Sequence, residues 1–257
     1  MVRRVDHTVL LYPATKTNIN TLQNKSIYKT CCESRLITYN CNMKKTDHIS
    51  TIAELSESEG VFTTAQATRT GIPRDALHGA AEAGRVVGIA RGAHRLVGSG
   101  SEQTDELVAA WKLTASDRFT HERMQAEAWD GVAVGGTTAA SLLGIGDFYL
   151  SPYRIYAPRR ISSRNKAVSF AVREVARGEV SFAGGFPVTT PERTVFDLVA
   201  DDEDLPLVAD ALHSACVGSR PFDFNKLEAL IDGKYGKNKA DRILTSLLTD
   251  DGIAGRD

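Results

Sequence analysis

The 257-residue sequence predicts an α+β protein, with a small N-terminal helical module followed by a larger mixed domain. Three observations support this prediction. The composition changes sharply near residue 49, from a segment rich in Asn, Thr, Lys, Tyr and Cys to one rich in Ala, Gly, Val and Leu. Residues 49–98 then contain three capped helical segments and an alternating hairpin. Residues 101–257 mix helix-like and strand-like segments.

Residues 1–48 show no sustained period of 2 or 3.6, so we predict a disordered or non-native N-terminal extension. This segment has eight Lys or Arg residues against three Asp or Glu residues, and three of the four cysteines. Their spacing lacks the paired C-x-x-C of a zinc site. Met43, followed by two lysines, is a natural alternative start. If translation starts there, residues 1–42 are absent from the native protein.

The near-neutral total charge hides an asymmetry. Beyond residue 48 the chain has 23 basic and 29 acidic residues, so it lacks the overall basic excess common in nucleic-acid-binding proteins. A nucleic-acid role therefore requires local patches. No apolar run reaches the ~18 residues of a membrane span, and the N-terminal apolar stretch is too short for a secretory signal. We expect a cytoplasmic protein without a membrane partner.

Capping residues and glycines divide residues 49–98 into short elements. The predicted helices are TIAELSESE after a Ser50 cap, AQATR after Thr63 or Thr64, and the segment from Pro73 to Gly84. RVVGI and AHRLV follow as two alternating strands around a turn that contains Gly92. Three helices followed by a hairpin is the element order of a winged helix-turn-helix.

The spacing of Ala67, Gly71 and Leu77 is typical of a helix-turn-helix. A small residue lets the two helices approach, a glycine permits a positive φ in the turn, and an apolar residue packs the second helix on the first. On the outward face of the third helix, Arg74 and His78 are the obvious donors for base edges. DNA binding is the favoured interpretation.

The hairpin is richer in donors, with Arg91 at its turn and His94 and Arg95 in its second strand. However, residues 49–98 have five Arg and five acidic residues, so the module has no net charge apart from its histidines. The alternative is that the same shape serves only protein contact.

A second basic region spans residues 154–177, with seven positive residues and one glutamate. It fits a phosphate-contacting surface through counterion release, or a docking surface for an acidic partner, or a solvated loop. Tyr153, Tyr156 and Phe170 lie at strand spacing within it, which predicts core positions rather than base-stacking platforms.

The rest of the chain predicts alternating short elements without a defined strand order. The predicted segments are a helix from Thr104, a strand in GVAVGG, a helix TTAASLLGI closed by Gly144, a strand YRIYA, a helix capped by Thr189 or Thr190 with Pro191 in its first turn, and helices over 205–217 and 225–249.

No enzyme motif is present: there is no phosphate-binding loop, dinucleotide fingerprint, nucleophile elbow or metal-ligand helix. Asp117, His121 and Glu122 are interpreted as an ordinary surface helix rather than a metal cluster. In the group after Thr190, we expect Glu192 to cap a helix and Arg193 to pair with an acid. The sequence therefore predicts neither catalysis nor a cofactor.

Three motifs in order resemble the AbiEi-type antitoxins of type IV toxin–antitoxin, or abortive-infection, systems. The motifs are FTTAQATRTGIPRDALHGAAEAGRVVGIARGAHRLVG, TTAASLLGI and GGFPVTTPERTVFDL. The resemblance covers roughly residues 50–235. In the second motif, Leu143 stands where the family often has His, which a packing helix tolerates.

The resemblance implies a winged-helix domain that binds repeats in the promoter of its own operon and represses transcription. It also implies a C-terminal domain, residues 101–257, that counteracts a nucleotidyltransferase-type toxin with or without a stable complex. Two copies are expected on inverted repeats of double-stranded DNA. The DNA-contacting residues implied are Gln66, Arg69, Arg74, His78, Arg91 and Arg95, with Arg159, Arg160 and Arg164 as a supplementary phosphate contact.

Two other functions fit the same residues. The first is a winged-helix transcriptional regulator without a toxin partner, which the absence of a neighbouring nucleotidyltransferase gene would favour. The second is a nuclease that acts on DNA, although no carboxylate pair with an adjacent lysine can be placed in the sequence.

Overall fold

A computed structural model of the chain describes residues 45–99, 103–183, 185–218 and 221–250, all of which belong to one unit, Met43–Asp257. The protein is a mixed α+β structure, as the sequence predicts. The predicted extension, residues 1–48, lies outside the described residues except for its last four, which are helical. Within the described ranges, no helix combines the length and apolarity that crossing a membrane requires.

The N-terminal module contains the predicted three helices and hairpin, together with a short additional strand. Its elements are α1 Lys45–Glu59, β1 Phe62–Thr63, α2 Thr64–Arg69, α3 Arg74–Glu82, β2 Val86–Ala90 and β3 Ala93–Leu96. The predicted cap at Ser50, with the first helix starting at Thr51, is wrong, because α1 begins six residues earlier, at Lys45. The segment before Ser50 contains neither Gly nor Pro, so nothing in it stops the helix from extending.

The first sheet has the order β1-β3-β2, with both pairs antiparallel. Gly92 takes a φ of +87° in the turn between β2 and β3, and Gly71 takes +86° between α2 and α3. Residues with a Cβ rarely adopt these values. The helices cover one side of this sheet with an apolar core. Its buried residues are Ile52, Leu55, Phe62, Ala67, Ile72, Leu77, Ala80 and Val86.

The larger part of the chain consists of a five-stranded sheet and seven further helices among the described residues. The helices are α4 Asp105–Leu113, α5 Thr120–Met124, α6 Gly136–Leu143, α7 Pro191–Ala200, α8 Leu205–Val217, α9 Phe224–Tyr235 and α10 Lys237–Asp250. The strands are β4 Ala133–Val134, β5 Tyr153–Ala157, β6 Val168–Val172, β7 Val180–Ala183 and β8 Phe186–Thr189.

The second sheet mixes parallel and antiparallel pairs in the order β6-β5-β4-β8-β7. The β5–β6 and β4–β8 pairs are parallel, whereas β4–β5 and β7–β8 are antiparallel. An apolar cluster built on Trp111 and Ile155 joins α4 to this sheet, and a second cluster joins α7 to the helices α8, α9 and α10. In this strand order, β6 and β7 are the two edge strands of the sheet.

Most of the predicted caps are confirmed in this part. Gly144 ends α6 in the left-handed region, and the Thr190 hydroxyl accepts from the backbone N–H of Arg193 at the start of α7, with Pro191 in the first turn. The predicted helix over 225–249 is wrong as a single element. Gly236, with a φ of +79°, divides it into α9 and α10.

A buried ion pair joins the N-terminal module to the rest of the chain. The Lys112 ammonium on α4 contacts the Glu59 carboxylate at the end of α1, and the two side chains are 2% and 3% exposed. The ammonium also donates to the Thr120 hydroxyl at 3.0 Å, and the carboxylate accepts from the Gln66 amide at 3.1 Å. This cluster fixes α1 and α2 against α4 and α5.

Candidate nucleic-acid interface

The turn into α2 is held by a reciprocal cap. The backbone N–H of Gln66 donates to the Thr63 hydroxyl at 3.0 Å, and the backbone N–H of Thr63 donates to the Gln66 side-chain oxygen at 2.8 Å. The Gln66 amide nitrogen donates to Glu59 and to the carbonyl of Arg118. Gln66 is 1% exposed, so its donors cannot reach a base edge. The predicted DNA contact of Gln66 is therefore wrong.

Arg69, at the end of α2, is held by residues of α5 and of the connection before it. Its guanidinium makes two hydrogen bonds of 2.8 Å to the Glu122 carboxylate and stacks 4.5 Å from the centre of the Phe119 ring. The hydrogen bonds from Arg69 lower the pKa of Glu122 to about 2. Glu122 therefore pairs with an arginine.

The exposed face of α3 has the two predicted donors. Arg74 and His78 are both exposed, and the His78 Nε2 lies 3.2 Å from the Glu82 carboxylate on the next turn of the helix. Asp75 is also exposed in the first turn. Because the buried side of α3 faces the module core through Leu77 and Ala80, the donors point away from it.

Arg85 is a donor that the sequence analysis did not single out. It is exposed and lies immediately before β2, where it borders a cleft with Asp75 and Gly79 of α3. The signal was its position directly after Gly84, the glycine that ends the third helix. Arg85 therefore adds an exposed cation between α3 and the base of the hairpin.

The hairpin separates its two predicted arginines. Arg91 is exposed at the tip. Arg95 on β3 is largely covered, at 13% side-chain exposure, and its Nε lies 2.9 Å from the Asp105 carboxylate. A largely covered guanidinium with one donor directed at a carboxylate presents little of its charge to a phosphate. The predicted DNA contact of Arg95 is therefore replaced by a structural role.

His94 also serves the interior of the hairpin. Its Nε2 lies 2.9 Å from the Thr64 hydroxyl on α2. Burial lowers the pKa of His94, which favours the neutral ring. The backbone N–H of Thr64 donates to the carbonyl of Gly92 at 2.9 Å, so α2 fixes the hairpin tip that presents Arg91.

The predicted supplementary contact lies on the loop between β5 and β6. Arg159, Arg160 and Arg164 are all exposed there. Arg164 borders a cleft of about 250 Å³ that also includes Ala90, the residue before Arg91. Ala90 of β2 and residues of the β5–β6 loop thus line one cleft.

A buried charged network, which includes Arg193 and Asp197 of the PERTVFDL motif, joins α7 to the second sheet. Arg173 donates to the carboxylates of Asp197, at 2.9 Å, and Asp201. Arg193 donates to Asp197 at 3.0 Å. The predicted pairing of Arg193 with an acid is confirmed. Glu192 accepts instead from the backbone N–H of Asp223 at the start of α9.

Desolvation dominates this network. Asp197 is fully buried, and burial raises its pKa to about 6 despite the two arginines. Burial also raises the pKa of the Tyr156 hydroxyl, which donates to Asp201 at 2.9 Å. Arg173 donates to two carboxylates and the Tyr156 hydroxyl, and Arg193 donates to carboxylates and the carbonyl of Glu174. Because these donors already have partners within the protein, this network holds the fold together rather than offering a site for an anion.

Solved structures include chains with a similar fold. The crystal structure of the RV2827C protein from Mycobacterium tuberculosis matches with a TM-score of 0.51 and 16% sequence identity, covering 78% of this chain and 77% of that chain. At this identity the likeness shows a shared fold and nothing more. No protein-family model matches the chain, and no curated protein matches it.

Proposed function

We propose that the module formed by α1–α3 and β1–β3 is a winged helix-turn-helix that binds double-stranded DNA. The observation that supports this proposal is the set of exposed hydrogen-bond donors along one helix and its adjoining hairpin: Arg74, His78, Arg85 and Arg91. In such folds the second helix of the helix-turn-helix enters the major groove and the hairpin contacts the neighbouring backbone. Here α3 would enter the groove.

The spacing of these groups suits that docking. The strand β2 has five residues, which span about 16 Å at 3.3 Å per residue. Arg85 immediately before β2 and Arg91 just beyond its end are six residues apart, and so are separated by at most about 20 Å, which is the ~12 Å width of a major groove plus part of a backbone. Arg91 would bind a phosphate, and Arg74 and His78 would face base edges.

Exposed acids limit the affinity of α3. Asp75 and Glu82 are on the same exposed side as the donors, and both repel phosphates at low ionic strength. Asp75 would be tolerated where it accepts from a cytosine amino group. We therefore assign the larger share of the phosphate contact to Arg91 and Arg85.

Arg159, Arg160 and Arg164 are left out of the proposed DNA contact. The cleft beside Arg164 has an apolar floor that includes Leu113, Ile161 and Phe170. Phosphates and sugars do not fill apolar clefts, whereas protein side chains do.

Together with the family resemblance in the three sequence motifs, this interface supports an autoregulating antitoxin of a type IV system. The protein would bind repeats in its own promoter as two copies, repress transcription by occlusion, and counteract a nucleotidyltransferase-type toxin through residues 101–257. No catalytic role is proposed for it.

The first experiment is a footprinting and gel-shift assay of the full chain on the DNA upstream of its own gene, with a shuffled sequence of equal length as competitor. We expect the protein to protect a repeated element from cleavage. We also expect unlabelled upstream DNA, but not the shuffled sequence, to displace the labelled DNA. Equal displacement by both competitors would contradict a repressor. Incubating the same DNA with Mg²⁺ tests the nuclease alternative, and cleavage would favour it.

The second experiment separates an antitoxin from a regulator without a toxin partner. The chain is co-expressed with a nucleotidyltransferase-type protein encoded beside it, and growth is followed. Rescue of growth by the chain, and by an Arg91→Ala variant whose DNA binding is weakened, would support antitoxin activity in the larger part. Growth arrest in both cases, or the absence of such a neighbour, would favour a regulator alone.

A further inference from the structure

The strand β6 leaves a row of backbone groups open at the edge of the second sheet. It pairs with β5 in a parallel register that is continuous over all five of its residues. Directly after β6, the backbone N–H of Arg173 donates to the carbonyl of Ala157 at 2.9 Å and continues this pairing. Because successive residues of a strand direct their backbone groups to opposite neighbours, those of Phe170 and Val172 point away from β5.

These outward backbone groups are available to another strand. Among the described residues, no hydrogen-bond partner is found for the backbone N–H and C=O of Phe170 and Val172. The remaining outward N–H of the strand, that of Val168, donates to the carbonyl of Asn165 at 3.2 Å. Val172 is 65% exposed, so another molecule can reach this end of the edge. An edge of this kind is a template for an extended chain, which adds as a further strand.

The other edge strands of the described sheets have features that discourage such pairing. β1 has two residues, and the register of β2 against β3 shifts between Gly88 and Ala90. The Arg177 guanidinium lies 4.6 Å from the centre of the Phe182 ring on β7. Short strands, irregular pairing and charged side chains all protect sheet edges. β6 has none of these features, since its register is regular and its sequence VSFAV includes neither a charge nor a proline.

The loop before β6 makes the start of this edge positive. The exposed cations of the loop are Arg159, Arg160, Arg164 and Lys166. Residues 158–167 include no acid. Arg164 borders the same cleft as Val168 and Phe170 of β6. Glu106 of α4 also lines that cleft, so the lining itself is balanced and the excess positive charge lies on the loop.

The opposite end of the edge lacks this positive charge. The Arg173 guanidinium is paired with Asp197 and Asp201, and Glu174, the next residue, is exposed. An added strand therefore needs acids only beside the start of β6. Antiparallel pairing, which is the more stable arrangement, puts those acids at the C-terminal end of the added strand. The β6 of a second copy ends in Arg173 and Glu174, so it does not supply such an end.

We propose that β6 accepts an extended segment of a partner protein as an additional antiparallel strand, and that this segment has an acidic C-terminal end. Its backbone pairs with the outward groups of Phe170 and Val172, and its carboxylates face the cations of the loop. Every second side chain of the added strand lies on the face of Phe170, beside the cleft of about 250 Å³. The contact does not depend on the proposed DNA binding, because it uses neither α3 nor Arg91.

The test is fluorescence anisotropy of a labelled synthetic peptide, TVTVTVEDE, titrated with the full chain at low salt. The Thr-Val repeat favours an extended strand, and the acids stand at its C-terminal end. We expect saturable binding of this peptide, and about tenfold weaker binding of the neutral peptide TVTVTVNQN, which lacks the attraction to the loop. Added salt should reduce the difference between the two peptides, because it screens exposed charges.

Methylation of the peptide backbone separates strand addition from charge attraction. In an added strand, alternate N–H groups face β6 and the others face away from it. Two versions of TVTVTVEDE, methylated on one or the other alternate set, should therefore differ: one loses binding and the other keeps it. The protein is the same in both measurements, so misfolding cannot explain the difference. Equal binding of the two versions would overturn the proposal.

A substitution at the end of the edge tests the same contact from the protein side. Val172→Pro removes one outward N–H and leaves the hydrogen bond from Arg173 to Ala157 in place. Proline is tolerated in an edge strand where its nitrogen faces solvent. We expect about tenfold weaker peptide binding from the loss of one hydrogen bond. The control Val172→Thr keeps the N–H and should bind as the wild type does, and far-ultraviolet circular dichroism checks that both variants are folded.

The loop variant Arg160→Glu/Arg164→Glu should lose the preference for the acidic peptide, whereas the control Lys237→Glu/Lys239→Glu, which alters two exposed lysines on α10, should keep it. Three further results would overturn the proposal. The first is a wild-type chain that binds neither peptide at millimolar concentration, and the second is a loop variant that keeps the preference. The third is self-association of the chain that Val172→Pro abolishes, which would assign the edge to a second copy.

Discussion

Replacement of Lys112 by methionine should destabilise the protein by about 3–5 kcal/mol, the range for breaking a buried ion pair from one side. Methionine fills most of the same volume, so the loss does not come from a cavity. It comes from the Glu59 carboxylate, which is 3% exposed and loses its cationic partner. Burial lowers the pKa of the Lys112 ammonium, because the charged form is desolvated. Replacement by methionine removes this desolvation cost, which offsets part of the loss of stability.

The remaining contacts of Glu59 set the expected value near the lower end of that range. Its carboxylate keeps hydrogen bonds from the Gln66 amide, and from the Thr120 hydroxyl at 2.7 Å. The double variant Glu59→Gln/Lys112→Met has no buried charge at this place and should cost only about 1–2 kcal/mol. The two single changes should therefore be coupled by at least about 2 kcal/mol.

Urea unfolding at neutral pH, followed by circular dichroism, measures the free energies of the four proteins in this cycle. Equal slopes against denaturant would show that the native and unfolded states are comparable across the set. A cost below about 1 kcal/mol for Lys112→Met, or a double variant whose cost equals the sum of the single costs, would refute the view that this pair joins the module to α4.

Two further predictions concern the second sheet and the helix turn. Burial raises the pKa of Asp197 from its ordinary value near 3.8 to about 6. The protonated Asp197 carboxyl therefore stabilises the folded state fully below about pH 4, and this stabilisation is lost as the pH rises through 6. The loss in unfolding free energy amounts to at most about 3 kcal/mol. The difference in unfolding free energy between the wild type and Asp197→Asn should therefore shrink from pH 4.5 to 7.5, and a pH-independent difference would contradict it. Gly135→Ala should lower the unfolding free energy by about 3 kcal/mol or more, since a Cβ there lies 1.9 Å from a ring carbon of buried Tyr156. Gly71→Ala, which meets open space but keeps a positive φ, should cost only about 1 kcal/mol, and thermal unfolding that ranks the two glycines the other way would count against this packing.

Local signals predicted the helical elements well. Thr63, Gly144 and Thr190 mark helix ends by capping chemistry that involves only neighbouring residues, and all three act as the sequence indicates. The strands were harder to predict. β1 has two residues, too few for a period of 2, and β8 contains Pro187, which normally argues against an interior strand.

The site was only partly predictable, because exposure depends on partners distant in sequence. Arg69 and Arg95 are as basic as Arg91, but Glu122 and Asp105 pair with them across the fold. Gln66 is the exception, since its burial had a local signal. The spacing T-x-x-Q from Thr63 is a capping box, which turns the glutamine toward the backbone.

The most direct test of the proposed DNA interface is the salt dependence of affinity for the upstream DNA, measured by fluorescence anisotropy for the wild type, Arg91→Ala and the control Arg242→Ala. Losing one phosphate contact should reduce the slope of log affinity against log salt by about 1 in Arg91→Ala. The control, an exposed arginine on α10, should keep the wild-type slope. Equal slopes for all three proteins, or no binding at low salt, would contradict the assignment of Arg91 and its hairpin to the DNA backbone.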